Sequence, residues 1–325
     1  MQDKISYQSA NVIPVKVIYD KKLVNSLHNK KVIPRVFQIT PTNACDLNCV
    51  YCCCGEIDRK EKLSIEQLKE ITDIAVKVGV KAFVITGGGE PMVHPNILEF
   101  IDYAHSKNIK LALITNGNHF KDDMIETLSK LQWCRISFDD YRKIDEKYRN
   151  TLSVVKKIKN VNFSFSYMYD GNPDSDFLKI INIANSFDNI SHVRIVNDSL
   201  SEKYIDTMTA KEKLDKNNID TSKCFFKYQQ QYGAGQKKCY MSLLKPRIVA
   251  SGDVYPCCAI QYQEKNGLKK YNKVFSMGHY SDIPNMIENQ RFFNGNICNQ
   301  CYYENYNKFL GYYLEPEKIT DKEFI

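Results

Sequence analysis

Three cysteines stand at Cys45, Cys49 and Cys52, in C-x3-C-x2-C spacing within Pro41-Thr42-Asn43-Ala44-Cys45-Asp46-Leu47-Asn48-Cys49-Val50-Tyr51-Cys52. Three thiolates on one tight loop can hold three corners of a cubane iron–sulfur cluster. Such clusters normally take four cysteines, so a three-cysteine loop leaves one iron open, a place where something can be bound and reduced. A zinc site or half of a disulfide framework uses the same residue type. Zinc sites more often pair cysteines as C-x2-C and need a fourth ligand close by.

Two further patterns could do chemistry. Gly87-Gly88-Gly89-Glu90-Pro91 follows an apolar run; glycines there let the backbone approach a ligand closely, and turn carbonyls can accept from an ammonium. Later come Cys239, Cys257 and the pair Cys298-Asn299-Gln300-Cys301. Four cysteines of this kind can bind zinc as a ribbon or a second four-iron cluster. Cys258 directly follows Cys257 in Tyr255-Pro256-Cys257-Cys258. Neighbours in an extended segment point to opposite sides, so the two are not expected to ligate one cluster.

The triad, with Tyr51 just before its last cysteine, and the Gly88-Gly89-Glu90 turn about 35 residues later resemble the radical S-adenosylmethionine (SAM) superfamily. The resemblance implies that the open iron is chelated by SAM and that an electron from the cluster cleaves the sulfonium, releasing a 5′-deoxyadenosyl radical that abstracts a substrate hydrogen. It implies that Gly88, Gly89 and Glu90 hold the SAM amino group and that Tyr51 stacks on the adenine. Ser137 and Asp139 are candidates for the SAM ribose or carboxylate, as are Asn116 and Arg194; strand ends also carry such residues for turn reasons alone.

Residues 239–301 resemble the auxiliary-cluster extension of these enzymes in its shorter "twitch" form, because no cysteine follows Cys301. The resemblance implies one auxiliary four-iron cluster on Cys239, Cys257, Cys298 and Cys301. In peptide epimerases that this chain resembles, a thiol after Tyr-Pro-Cys returns a hydrogen atom to the substrate radical, which makes Cys258 a candidate donor. A buried, unreactive thiol is the other reading.

The elements that must position these groups follow a strand–helix alternation. Apolar runs at 36–40, 82–86, 111–115, 134–138, 161–169 and 192–196 read as six strands, with helices between them. The first of these helices carries a Ser64/Gln67 capping box and ends at Gly79. Such alternation implies parallel right-handed crossover units, and six fall short of a closed eight-fold barrel. The fold expected is α/β: a partial (β/α)6 TIM-like barrel followed by a small α+β auxiliary iron–sulfur domain. Residues 1–35 read as an N-terminal extension with a strand-like piece at 12–18, residues 36–228 as the core barrel, and residues 229–325 as the cluster domain. Gln229–Gln236 reads as the linker between the last two, and Ser251-Gly252-Asp253 as the turn of a hairpin.

The chain has 325 residues, 43% of them hydrophobic, enough to bury a full core. The longest apolar runs fall far below the ~20 residues of a membrane span. Twelve cysteines behind a polar N-terminus without an apolar signal segment point to reduced thiols and the cytoplasm. A net charge of +7 is spread along the chain and gives no concentrated nucleic-acid face. The expected partners are a peptide or small-molecule substrate and a flavodoxin- or ferredoxin-type electron donor. The activity expected is SAM cleavage and hydrogen abstraction, directed at a ribosomally made peptide. Alternatives are an amino-sugar or other small-metabolite dehydrogenase or epimerase, a nucleoside- or RNA-modifying enzyme of the same type, and a metal-stabilised binding protein without catalysis.

Overall fold

The computed structural model describes residues 13–139, 146–169, 171, 175–198, 205–226, 233–263 and 271–318. Helices α1 (Ile13–Tyr19) and α2 (Lys21–His28) precede β1 (Val36–Ile39). The alternation then runs α3 (Ile65–Val78), β2 (Ala82–Ile85), α4 (Ile97–Ser106), β3 (Lys110–Thr115), α5 (Ile125–Leu128) and β4 (Leu131–Asp139). It continues through α6 (Glu146–Lys157), β5 (Asn162–Met168), α7 (Ser175–Ser186), β6 (Ile190–Val196), α8 (Met208–Lys216) and β7 (Cys224–Phe226). The carboxyl-terminal part adds α9 (Met241–Leu244), β8 (Arg247–Ile248), β9 (Asp253–Tyr255), β10 (Gly278–His279), α10 (Ile283–Glu288) and α11 (Glu304–Leu314).

All ten strands form one sheet in the order β10-β9-β8-β1-β2-β3-β4-β5-β6-β7. Strands β1 to β7 pair in parallel with their neighbours, the consequence of helical crossovers, and the α/β partial-barrel architecture expected from the alternation is present. A seventh parallel strand, β7, lies beyond the six read from sequence. At three residues it is too short for a periodicity to register.

The carboxyl-terminal hairpin does not hang off the barrel. Its first strand, β8, joins β1 in parallel, with Gln38 opposite Arg247 and Ile39 opposite Ile248. β9 turns back antiparallel on β8 and β10 on β9, so the hairpin expected around Gly252 is present. The late cysteines are thereby carried to the edge of the strand that feeds the triad loop. The expected boundary at residues 228 and 229, and Gln229–Tyr232 of the expected linker, lie outside the described residues.

Residues 13–18, read as strand-like, are helical in α1. Their β-branched run favours a strand locally, but Pro14 fits a first helical turn, and only Val17 is buried while Ile18 and Tyr19 face outward. Tertiary contacts with α2 and α11 set the choice. Helix α3 starts on the full capping box: the Ser64 amide donates to Gln67 Oε1 (2.8 Å) and the Gln67 amide to Ser64 Oγ (3.2 Å). Its buried stripe of Leu68, Ile71, Thr72 and Ala75 faces the sheet. Phe37, Phe83 and Phe100 stack from β1 through β2 to α4 with centroids 6.2 and 6.1 Å apart, which fixes the strand ends that bear the chemistry.

Candidate functional site

The triad loop leaves β1 after Thr40 and is closed at its base like a purse. The Asn43 amide donates to Glu61 O (2.9 Å), the Leu63 amide to Pro41 O (2.9 Å), and Asn43 Nδ2 to Glu61 Oε2 (2.9 Å). Within it the Cys52 amide donates to Cys49 O (3.0 Å), the Gly55 amide to Cys52 O (3.0 Å), and the Leu47 amide to Cys45 Sγ (3.4 Å). Arg59 Nη2 holds the Gly55 carbonyl at 3.0 Å. Cys45, Cys49 and Cys52 are all half-buried and free.

The glycine turn after β2 docks on this loop. The Gly89 amide donates to Thr42 O (3.1 Å) and the Glu90 amide to Ala44 O (2.8 Å). The approach is so close that a Cβ at Gly89 would lie 1.9 Å from Ala44 O, which is why glycine stands there. Two motifs 35 or more positions apart in sequence thus form one surface. The Glu90 side chain is buried and turned inward: its Oε1 accepts from Thr115 Oγ1 (2.6 Å) and the Met92 amide (3.0 Å), its Oε2 from the Asn116 amide (2.6 Å). Burial raises its pKa to about 7 against the pull of those donors.

Asn116 lies at the end of β3, but its side chain faces the triad loop. Its Nδ2 donates to Asp46 Oδ1 (2.7 Å), Asn118 Nδ2 donates to Asp46 Oδ2 (2.8 Å), and His119 Nε2 lies 3.2 Å from the same oxygen. Although burial opposes it, these hydrogen bonds and His119 hold the Asp46 carboxyl below its ordinary range. Asp46, Asn118 and His119 escaped the sequence reading, because nothing local marks an aspartate between two cysteines as a contact of a loop some 70 positions away.

Ser137 and Arg194 sit in register across the sheet, Ser137 opposite Ser166 on β5 and Ser166 opposite Arg194 on β6. Both are half-buried on one face of three adjacent strands. Asp139 ends β4, opposite Met168. Tyr51 is half-buried beside Cys52.

The later cysteines converge. Segment 233–239 runs antiparallel to 293–301: the Cys301 amide donates to Gly233 O (2.8 Å), the Gly235 amide to Cys298 O (3.3 Å) and the Cys239 amide to Phe293 O (3.0 Å). Cys239, Cys257, Cys298 and Cys301 line one recess together with Gly235 and Gly295. A Cβ at Gly235 would meet Gly295 O at 1.7 Å and Cys298 Cβ at 3.0 Å. Asn307 Nδ2 points at Cys239 Sγ (3.8 Å). Cys258 does not line the recess; its Sγ lies 3.5 Å from the Tyr303 hydroxyl. Cys257 is extended, and Cys258 opens the 3-10 turn Cys258–Tyr262 that follows it.

The donor sets fit iron–sulfur clusters. Three half-buried thiols share the triad loop with a half-buried Cys53, while Cys54 is buried in an apolar cluster with Ile57, Val249, Tyr255, Ile260 and Tyr271. Burial pushes Cys52 up to about 11, Cys298 to about 11 and Cys239 to about 12, so a bound cationic centre would be needed to make thiolates of them. Among the described residues no three His, Cys, Asp or Glu side chains converge as closely as a single metal ion needs; a cubane spreads its ligands around four irons. Among the described residues no helix is long and apolar enough to cross a membrane.

An open-edged parallel barrel with a three-cysteine loop after its first strand and a glycine turn docked on it defines a class. Residues 39–184, a little under half of the chain, match the family described as the Radical SAM superfamily, whose members use a four-iron cluster and SAM. The chain is 25% identical over 144 residues to the AdoMet-dependent heme synthase of Methanosarcina barkeri, a match covering 41% of each. It is 38% identical over 88 residues to the antilisterial bacteriocin subtilosin biosynthesis protein AlbA of Bacillus subtilis, which covers 27% of this chain and 19% of AlbA. The chain therefore spans less than half the length of these relatives. Among solved structures, its fold is similar to Streptococcus suis SuiB bound to S-adenosylmethionine, with TM-score 0.55 and 18% identity over 76% of this chain and 66% of SuiB. SuiB bound to its precursor peptide SuiA gives TM-score 0.54 and 17% identity over 80% and 68%.

Proposed function

We propose that this protein reductively cleaves SAM and modifies a ribosomally made peptide by hydrogen abstraction, epimerising or oxidising one of its residues. Cys45, Cys49 and Cys52 hold the SAM-binding cluster in this reading, and Cys239, Cys257, Cys298 and Cys301 the auxiliary one. When bound, the first cluster and SAM supply an electron and a carbon radical able to take a substrate hydrogen atom. The observation that carries the peptide reading is the placement of Cys258. Its thiol is not among the groups lining the four-cysteine recess but lies against Tyr303 of the recess wall, within the field of Arg247, as do Cys53 and Cys54 behind the triad. Support comes also from SuiB, solved with a precursor peptide, and from AlbA, a bacteriocin biosynthesis protein.

The chain's own residues do the rest. The carbonyls of Gly88 and Gly89 present acceptors beside the triad for the SAM ammonium, the Gly87 carbonyl being taken by the Arg247 guanidinium. Glu90, held by three donors, fixes the turn from beneath rather than reaching the ligand with its carboxylate. Ser137 and Arg194 offer polar groups from neighbouring strands for the carboxylate and ribose, with Asp139 and Asn116 at the adjoining strand ends and Tyr51 beside the adenine. Cys258 returns hydrogen: its S–H bond breaks homolytically as a C–H bond forms on the substrate radical. One electron from a flavodoxin- or ferredoxin-type donor and one proton then restore the thiol.

The test is turnover of the anaerobically reconstituted protein in D2O with SAM, dithionite and a candidate peptide. Epimerisation predicts one deuterium per modified residue. Cys258→Ala should still form 5′-deoxyadenosine but yield no deuterated epimer; normal turnover by that variant overturns the donor role. Failure of the wild type to form 5′-deoxyadenosine, with zinc in place of iron, overturns the whole reading.

A further inference from the structure

Arg247 is 1% exposed and ranks among the largest fully buried side chains of the described residues. It stands on β8 directly opposite Gln38 of β1. Its guanidinium is held only by neutral acceptors: Nη1 donates to Gln261 Oε1 (2.8 Å), and Nη2 to Gly87 O (2.8 Å), Tyr271 Oη (3.0 Å) and Thr40 Oγ1 (3.2 Å). Its Nε has no partner, nor has Oε1 of Gln38. Among the described residues no carboxylate pairs with it. A buried cation is normally paired, since taking it out of water without a counter-charge costs several kcal/mol. The fold retains this one all the same.

Its contacts show what it joins. Gly87 opens the glycine turn that docks on the triad loop. Gln261, which also accepts from Cys54 Sγ (3.7 Å), follows Cys257 and Cys258 by a few residues. Cys52 of the triad and Cys257 of the later set pack against the same small apolar cluster, formed by Cys54, Ile57, Val249, Tyr255, Ile260 and Tyr271. The two cysteine sets therefore flank a common dry partition, with the guanidinium beside it.

We propose that Arg247 is a positioning residue with an electrostatic task. It ties the glycine turn of the SAM side to the hairpin of the auxiliary side, and its uncompensated charge holds the clusters at both cysteine sets at less negative reduction potentials. Reduction adds negative charge to a cluster, and a nearby cation in a low-dielectric setting favours the reduced state. The fork fixes the Gly87 carbonyl, hence the geometry of the turn that receives SAM. This inference rests on the proposed function, because it needs both clusters.

The experiment compares wild type, Arg247→Gln and Arg247→Lys, each full-length and reconstituted. It measures iron per chain, SAM affinity without reductant, and cluster midpoints by EPR-monitored redox titration. Midpoints are repeated in a Cys298→Ala, Cys301→Ala background to isolate the triad cluster. Arg247→Gln should move the midpoints to more negative values and weaken SAM binding about tenfold, the loss of roughly one charge-assisted hydrogen bond. Arg247→Lys should keep the midpoints, because the charge stays, yet share the weakened SAM binding, because a point charge cannot reproduce the fork. Full iron in Arg247→Gln with unmoved midpoints overturns the electrostatic task. If that variant takes up no iron, Arg247→Lys decides: wild-type midpoints with weakened SAM binding support the proposal, and midpoints displaced at full iron overturn it. A wild type that holds no iron would defeat the proposed function itself, which is a separate outcome.

Discussion

Asn116 Nδ2 donates to Asp46 Oδ1 at 2.7 Å across 70 positions of sequence, and so pins the triad loop to the end of β3. The same asparagine's backbone amide donates to Glu90. One residue therefore couples the ends of three neighbouring strands: β1 through the cysteine loop, β2 through the glycine turn, and its own.

Asp46→Ala should loosen that coupling without touching a cysteine. It leaves a nearly buried Asn116 amide group unpaired, at a cost of about 1–2 kcal/mol. We expect a lower Tm, and faster loss of iron from the triad when the reconstituted protein is exposed to air. Asp46→Asn keeps one acceptor oxygen and should fall between. Iron retention equal to wild type in Asp46→Ala would show that the loop is held by its base alone.

Gly89 and Gly79 separate two reasons for glycine. A Cβ at Gly89 would lie 1.9 Å from Ala44 O, whereas at Gly79 it would meet nothing within 4 Å, the only penalty there being φ +87° at the end of α3. Gly79→Ala should cost about 1 kcal/mol and leave SAM binding intact. Gly89→Ala should abolish SAM binding, measured by equilibrium dialysis of the iron-loaded protein, even where the fold survives.

Glu90 gives the protein a pH dependence of readable sign. Its folded pKa is raised to about 7 by burial, above an unfolded value near 4.3. Between those values the folded state binds more protons than the unfolded state, so the stability it contributes is full below about pH 4 and is lost as pH rises through about 7. The effect is on the order of 3 kcal/mol. Glu90→Gln removes the titration. The Tm difference between wild type and Glu90→Gln should therefore shift against the wild type from pH 5 to pH 7.5; a flat difference would mean that the Thr115, Asn116 and Met92 donors keep the carboxylate ionised throughout.

Much of this was legible in sequence, and the dividing line is physical. The triad, the glycine turn, the capping box of α3 and the C-x-x-C pair are local patterns whose spacing carries their meaning. The strand alternation is a periodicity, and it gave the α/β class. What escaped depends on distant pairing. Arg247 meets Thr40 over 207 positions and Gly87 over 160; in sequence it is one arginine at the start of a short strand. β7 and the parallel docking of β8 on β1 are too short to show a period. Helix α1 reads as a strand because its β-branched residues speak for one locally, and only contacts with α2 and α11 overrule them.

The four later cysteines make the last prediction, and it needs no substrate. If they hold a second four-iron cluster, the reconstituted wild type carries about eight irons per chain and loss of either set leaves about four. A cysteine substitution alone cannot tell ligation from local collapse. Gly235→Ala can help, because it changes no donor atom: its Cβ would meet Gly295 O at 1.7 Å and push apart the two segments that bring Cys239 to Cys298 and Cys301. We expect Gly235→Ala and Cys298→Ala to fall to the same value, about four irons, with the triad's share intact. Cys224→Ala, on β7 at the opposite end of the sheet, should keep all of them. Eight irons in Gly235→Ala would mean that the recess tolerates the splaying and that the close approach of its two segments is not what forms the site.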